Sequence, residues 1–325
     1  MSDMNPIFVS VIIPAYNASA TIGRALEALF KQNCSQSFEV IVVDDGSVDN
    51  TEDIVKSFAA VRYVRQDNAG PASARNHGVQ LARGEYLVFT DSDCVAHQDW
   101  ILRLMKSFEG QQVGVVAGSY GIANPQSRLA RCVYKEILWR HNRLMPDFPN
   151  SFGSYNFCVR KNVFEAVGGF NTGYRNASGE DNDLSYKIIG SGWRIFFEPK
   201  ALVDHYHPTS VRKYLKEQFR HGFWRVKMYR DHPHMMQGDG YTFWKDIIEM
   251  PLAGCVLLGL ALSVFHCLGL GHVVWFVCFG FLIFEIVCAL FMTNCFFDGI
   301  FFGFILFFRA LARVLGFSTG ILSLL

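Results

Sequence analysis

The chain has 325 residues, a formal net charge of +1 and a hydrophobic content of 50%. That is too long for one minimal domain and too evenly charged for a nucleic-acid footprint, so one large folded unit plus a separate apolar segment is expected. Nine cysteines without a CxxC pair fit a reducing cytosol and no zinc site.

The first residues, Met1 to Pro6, carry no basic stretch, and the first apolar run, Val9 to Ile13, has the length of a strand and not of a signal peptide. Without an export signal the soluble part is expected in the cytosol. From residue 9 to 93 short β-rich runs alternate with helical periodicity, the βαβ signature of a mostly parallel sheet covered by helices. Val9 to Pro14 reads as a strand, followed by a helix whose Ile22, Ala25, Leu26, Leu29 and Phe30 share one face. Phe38 to Val43 is the second strand, and the next helix opens near Thr51 with Glu52 and Asp53 in its first turn, where acids suit the helix dipole. Val61 to Val64 is a third strand, a helix covers Ala72 to Ala82, and Glu85 to Thr90 is a fourth strand. Beyond Val113 the pattern turns irregular and rich in glycine and aromatics.

A helix is expected from about Val211 to Tyr229, and residues 212–230 carry Arg212, Lys213, Lys216, Arg220, Arg225, Lys227 and Arg230, a basic patch suited to lipid headgroups. Between Pro251 and Phe297 the only formal charge is Glu285. A membrane-spanning helix needs roughly 20 apolar residues, so residues 250–270 and 272–293 each read as one span. Phe296 to Leu325 is also apolar but holds Asp298, Arg309 and Arg313; each charge at mid-span costs about 2.5–3.5 kcal/mol. An interfacial helix and a third span both remain open for it.

In open α/β sheets ligands bind beyond the carboxyl ends of the strands. The second strand ends in Asp44-Asp45-Gly46-Ser47 and the fourth in Asp91-Ser92-Asp93. Carboxylates converging on one sheet edge suit a hard divalent cation that keeps positions open for phosphate oxygens. No GxxxxGK[ST] loop is present and no GxGxxG follows a strand, so cations must hold any phosphates, and Arg75 is the nearest candidate.

Taken in order, Ser10 to Asn17, Val42 to Ser47, Asn68-Ala69-Gly70 with Ala74-Arg75-Asn76, and Gly84-Glu85-Tyr86 leading into Asp91-Ser92-Asp93 make the chain resemble the family 2 inverting glycosyltransferases of the GT-A fold over roughly residues 8–210. The resemblance implies a Rossmann-like mixed α/β sheet, to which composition adds C-terminal transmembrane helices. The expected division is a nucleotide-sugar-binding half (1–115) and an acceptor-binding and catalytic half (116–210) by resemblance, then, by charge and hydropathy, a basic juxtamembrane segment (211–247) and a membrane region (248–325). Pro14, Ala15, Tyr16, Asn17, Asp44, Asp45, Arg75, Asp91 and Ser92 would bind the nucleotide. Asp93 would bind Mn²⁺ or Mg²⁺, with His205 of Asp204-His205-Tyr206-His207 favoured over His207 as a second ligand. Gly153 to Asn156 through Gly168-Gly169-Phe170 resembles the acceptor-side segment.

Gly179-Glu180-Asp181-Asn182-Asp183-Leu184 resembles the catalytic acid motif. Because the acceptor hydroxyl must lose a proton as the nucleoside diphosphate leaves, a carboxylate within its reach is needed; Asp181 would be the base and Glu180 its support or an acceptor ligand. The nearest match to the Gln-X-X-Arg-Trp motif of processive members, Gln218 to Trp224, is out of register, which argues against polymer synthesis. The expected function is metal-dependent inverting transfer from a nucleotide-diphosphate sugar to a hydroxyl of a lipid-linked glycan at the inner (plasma) membrane, with the catalytic part cytosolic and no nucleic-acid partner. Transfer to polyprenyl phosphate and a catalytically silent sugar-nucleotide-binding protein are the alternatives.

Overall fold

The computed structural model describes residues 8–108, 112–174, 179–238, 243–264 and 271–324. The chain divides into two compact units: residues 1–123 with 145–206, and residues 124–144 with 207–325.

The first unit is built on one eight-stranded mixed sheet of order β3-β2-β1-β4-β7-β6-β8-β5. Its strands are β1 (Val9–Ala15), β2 (Phe38–Asp44), β3 (Val61–Arg65), β4 (Tyr86–Thr90), β5 (Cys94–Ala96), β6 (Val113–Ile122), β7 (Asn156–Arg160) and β8 (Arg194–His205). β3, β2, β1 and β4 run parallel, β7 is antiparallel to both β4 and β6, and β5 is antiparallel to β8. The side-chain period of two sorts the buried residues by face. Val9, Val11 and Ile13 pack with α1 (Ile22–Leu29) and α4 (Trp100–Lys106), while Ile12, Ile41, Val43 and Phe89 pack with α3 (Pro71–Leu81), α6 (Lys161–Ala166) and α7 (Glu180–Gly190). Each fully buried side chain of this kind stabilises the fold by roughly 1.5–3 kcal/mol, which is why the central strands read as unbroken apolar runs. The short α2 (Thr51–Lys56) follows β2. Ala15 pairs with Asp44, and Asp44 with Arg65, so the first three strands end level and present their following loops together.

The second unit comprises α5 (Arg128–Arg143), α8 (Val211–Asp231), a 3₁₀ turn at Pro233–Gln237, α9 (Trp244–Val264), α10 (Gly271–Thr293) and α11 (Phe296–Leu324). The grouping follows packing and not sequence order: Leu129, Cys132 and Val133 of α5 are buried among Ala289, Met292, Phe302, Ile305 and Leu306. Two described helices are long and apolar enough to cross a membrane, His272–Thr293 and Phe296–Ser323, with mean hydropathies of 2.6 and 2.0. The end of the segment read as a first span, residues 265–270, lies outside the described residues; α9 begins at Trp244 and contains Pro251. The charges of these helices face one another. Lys245 is paired with Glu249 and, at 2.8 Å, with Glu285; Arg309 meets Glu136 at 2.7 Å and Glu249 at 3.6 Å; Arg140 meets Asp246 at 2.8 Å.

Candidate active site

The loops after β1 and β2 are tied by side chains. Asn17, at φ 50, donates its N–H to Ser47 Oγ at 2.8 Å and accepts from the Val48 N–H at 2.9 Å. Asp44 is fully buried and accepts from the Ser47 N–H, the Tyr63 hydroxyl and Arg65, so its carboxylate is turned into the fold. Asp45 accepts from Gln66 Nε2 at 2.7 Å and from the N–H groups of Ala69 and Gly70 at 2.9 and 2.8 Å, which fixes the loop leading into α3. Ala15 is buried behind this rim, whereas Tyr16 stands 55% exposed on it.

Asp49 supports the same rim by accepting from the Ser19 N–H and from the N–H and hydroxyl of Thr51. Burial alone would raise its carboxyl, but the Thr51 and Ser19 donors outweigh this and hold it at about 2. A depressed carboxyl contributes stability at neutral pH that is lost as pH falls through its folded pKa. Asp49→Asn should therefore lower the unfolding midpoint at pH 7, with the difference shrinking from about pH 4 toward pH 2; urea unfolding of both proteins across that range measures it, and a gap that is constant with pH would contradict it.

Arg75 is the hub of the site. It is 4% exposed, donates from Nη2 to Asp91 at 2.8 Å and from Nη1 to Glu180 at 3.2 Å, and lies 3.9 Å from Asp181. Its guanidinium sits over the Phe170 ring, 5.4 Å from the centroid. Asn76, next in the chain, brackets the Phe170 backbone with Nδ2 donating to its C=O at 2.8 Å and Oδ1 accepting from its N–H at 3.0 Å. This explains why Ala74-Arg75-Asn76 and Gly168-Gly169-Phe170 belong to one structure. Glu180 and Asp181 open α7, whose N-cap Gly179 has φ +113, a backbone that an L side chain rarely adopts. The helix dipole favours anions there. Glu180 is 1% exposed, while Asp181 keeps 27% of its side chain exposed, and its Oδ1 has no hydrogen-bond partner among the described residues.

Burial raises the Asp91 carboxyl above its ordinary range; Arg75 opposes this, and the charges of Asp93 and Asp181 add to it. Three carboxylates, Asp91, Glu180 and Asp181, thus gather at one guanidinium, and the charge of Asp93 acts on Asp91 beside them, a surplus of negative charge that a cation would relieve. Asp93 Oδ2 lies 3.3 Å from His205 Nε2, and the ligand atoms of Asp93, Cys94 and His205 fall within 4.8 Å of one another. Cys94 is buried, its thiol pushed well up by burial and by Asp93 and Asp91, and a soft sulfur is a poor ligand for a hard divalent cation. The remaining pair, one carboxylate and one imidazole, fits Mn²⁺ or Mg²⁺ with positions left open.

Of the other sequence candidates, Pro14 and Ser92 are partly exposed. His207 belongs to the second unit, where it is buried and paired through its backbone with the Asn124 side chain. Asn156 is buried and takes the Trp100 indole N–H at 2.8 Å, a structural post within the sheet. Sequence reading did not find that Asn76 fixes Phe170 under Arg75; the two motifs lie 94 positions apart and carry no signal that joins them.

A parallel four-stranded edge continued by antiparallel strands, with acids at the strand ends, is the architecture of GT-A glycosyltransferases. One solved structure of matching fold is the mannosyltransferase PcManGT from Pyrobaculum calidifontis, in complex with GDP-Man and Mn²⁺, with TM-score 0.55 and 24% identity over 70% of this chain and 64% of that one. The family model "Glycosyl transferase family 2" matches residues 10–175, and the chain belongs to that family; it is a glycosyltransferase. It is 30% identical to glycosyltransferase AglE of Haloferax volcanii, covering 68% of this chain and 74% of that protein. It is 36% identical to glycosyltransferase GlyG of Streptococcus pneumoniae, covering 79% and 83%. Two further curated relatives are longer, and the matches span 46% and 52% of their length.

Proposed function

We propose that the protein is a membrane-anchored, metal-dependent inverting glycosyltransferase that moves a sugar from a nucleotide-diphosphate sugar to a hydroxyl of a lipid-linked glycan on the cytosolic face of the plasma membrane. The observation that carries this reading is the division of labour at the start of α7: Glu180 is buried and bonded to Arg75, while Asp181 turns its buried Oδ1 toward Arg75 at 3.9 Å and keeps 27% of its side chain exposed.

Pro14, Ala15, Tyr16, Asn17, Asp45 and Ser92 frame the nucleotide, with Tyr16 offering its exposed ring to the base and Asp91 facing the ribose. Asp44 holds that frame from behind. Asp93 and His205 would hold Mn²⁺ or Mg²⁺, which supplies positive charge to the departing diphosphate. Asp181 accepts the proton of the acceptor hydroxyl as its oxygen bonds to the anomeric carbon; on the opposite face the bond from that carbon to the diphosphate oxygen breaks, and the nucleoside diphosphate leaves with the electron pair. Configuration inverts because the displacement is in line.

The test uses the purified full chain with radiolabelled sugar nucleotides, Mn²⁺ and a membrane lipid extract. A labelled lipid-linked glycan of inverted anomeric configuration is expected. Asp181→Asn should cut transfer by at least 100-fold, on the scale of general-base loss, while thermal stabilisation by UDP or GDP is retained. An active Asp181→Asn protein removes the base assignment. Label found on polyprenyl phosphate alone would move the acceptor from a glycan hydroxyl to a phosphate.

A further inference from the structure

β5 begins at the cation corner of the site. Its first residue, Cys94, is the antiparallel partner of His205 on β8, and directly opposed residues of a ladder point to one face of the sheet. Main-chain bonds hold the neighbouring Asp93 as well: the Tyr206 N–H donates to the Asp93 C=O at 3.0 Å, and the Cys94 N–H to the Asp91 C=O at 3.1 Å. Three unlike ligand atoms meet as a result. Cys94 Sγ stands 3.9 Å from Asp93 Oδ1, His205 Nε2 stands 3.3 Å from Asp93 Oδ2, and the three groups fall within 4.8 Å of one another.

Tetrahedral Zn²⁺ bonds sulfur at about 2.3 Å and imidazole nitrogen or carboxylate oxygen at about 2.0–2.2 Å, which sets its ligand atoms about 3.4–3.6 Å apart. The gaps of 3.3 and 3.9 Å straddle that spacing, and the widest, at most 4.8 Å, closes by about 1 Å of side-chain movement. The ligands are also layered by depth. Cys94 is 2% exposed, while the His205 and Asp93 side chains are 19% and 38% exposed, so an ion entering from solvent meets oxygen and nitrogen first and sulfur last. Chemistry then sorts the cations. Mg²⁺ and Mn²⁺ take the carboxylate and leave the thiol aside, whereas Zn²⁺ and Cd²⁺ accept sulfur and gain a third ligand.

We infer that Asp93, Cys94 and His205 form a three-ligand site for Zn²⁺ and softer divalent cations, and that filling it stops sugar transfer. Coordinate bonds form to Sγ, to an Asp93 oxygen and to His205 Nε2, and the thiol proton passes to solvent. A four-coordinate ion held in this way has one position left, whereas a hard cation on the carboxylate and imidazole keeps several for diphosphate oxygens. Cys94 takes no part in transfer; it determines which cations arrest the enzyme.

The inference rests on the reading of Asp93 and His205 as the cation ligands of transfer, and its test follows the metals apart from activity. Mn²⁺ bound to the purified full chain is measured by electron paramagnetic resonance, and Zn²⁺ is added as competitor. Zn²⁺ is expected to release the Mn²⁺. Cys94→Ser should hold Mn²⁺ as before and need roughly tenfold more Zn²⁺ to lose it, the least that loss of even an outer-shell partner costs. Inhibition of Mn²⁺-supported transfer by Zn²⁺ should shift by the same factor, and Cd²⁺ should give a sulfur-to-metal charge-transfer band that is weaker in Cys94→Ser. Equal Zn²⁺ demand in the two proteins overturns the site. X-ray absorption at the zinc edge of the unaltered chain, loaded only until the Mn²⁺ is released, gives a reading that needs no substitution in the core. One sulfur at about 2.3 Å among lighter ligands is expected, and a shell without sulfur overturns the inference. Sulfur-bound zinc in a protein that never binds Mn²⁺ would leave the three-ligand site standing and remove the hard-cation reading instead.

Discussion

Replacing Arg75 with glutamine should abolish sugar transfer and destabilise the catalytic unit by about 3–5 kcal/mol, the range for stripping one partner from a buried ion pair. The loss is large because Glu180, 1% exposed, would keep its charge with its guanidinium partner gone, while Asp91 and Asp181 would lose their shared cation and Phe170 the group it stacks on. Arg75→Lys separates the two consequences. A lysine restores charge, but its single ammonium cannot reproduce a fork that reaches Asp91 through Nη2 and Glu180 through Nη1. Part of the stability should return and little of the activity. Thermal and urea unfolding, with transfer rates corrected for the folded fraction, measure both. A stability loss below about 1 kcal/mol, as for an exposed pair, would mean that Glu180 is solvated and that Arg75 is not the hub.

Arg309→Met should be comparably damaging, by about 3–5 kcal/mol, although the residue lies far along the chain from every acid of the active site. Its guanidinium, 2% exposed, bonds Glu136 at 2.7 Å and Tyr214 at 3.3 Å and approaches Glu249 at 3.6 Å. Without it Glu136 retains Arg140 at 3.2 Å and the charge of Lys245, and Glu249 retains Lys245 and Arg313, the latter at 3.8 Å. Glu136→Gln should cost less than Arg309→Met, because Arg309 still faces Glu249. The double variant should cost clearly less than the two single losses added together, since the members share one network. Unfolding in detergent by temperature or dodecyl sulfate gives the comparison. Strict additivity would show that Glu136 and Arg309 are each hydrated and do not act as a pair.

The parallel half of the sheet was legible because its strands are unbroken apolar runs that end in acids, so Asp44, Asp45, Asp91 and Asp93 could be placed on one edge before any coordinates. The antiparallel half was not: β6 holds Gly114, Gly118 and Gly121, β5 has three residues, and neither offers a period to read. The roles inside the site were hidden by sequence distance. Arg75 and Glu180 are separated by 105 positions, and only contact shows that Glu180 is held inside while Asp181 remains accessible. Asp44 and Asp45 looked equivalent as neighbours in a turn, yet one faces Tyr63 and Arg65 and the other the N–H groups of Ala69 and Gly70. In the membrane region the signal was present but mute. Glu285 stood out as a lone charge in an apolar stretch, and its partner Lys245 lies 40 positions upstream, in a segment that reads as ordinary juxtamembrane sequence.

The placement of α5 sets a schedule for biosynthesis. Arg128 and Glu136 of α5 find their partners Asp298 and Arg309 only 170 and 173 residues later in the chain. At roughly 5–20 residues per second of synthesis, the apolar stripe of Leu129, Cys132 and Val133 waits about 10–30 s for the helices that cover it. A ribosome pause or a slow insertion step before α11 lengthens that wait. The nascent enzyme is thus most prone to aggregation after its sheet is complete and before its last helix has emerged.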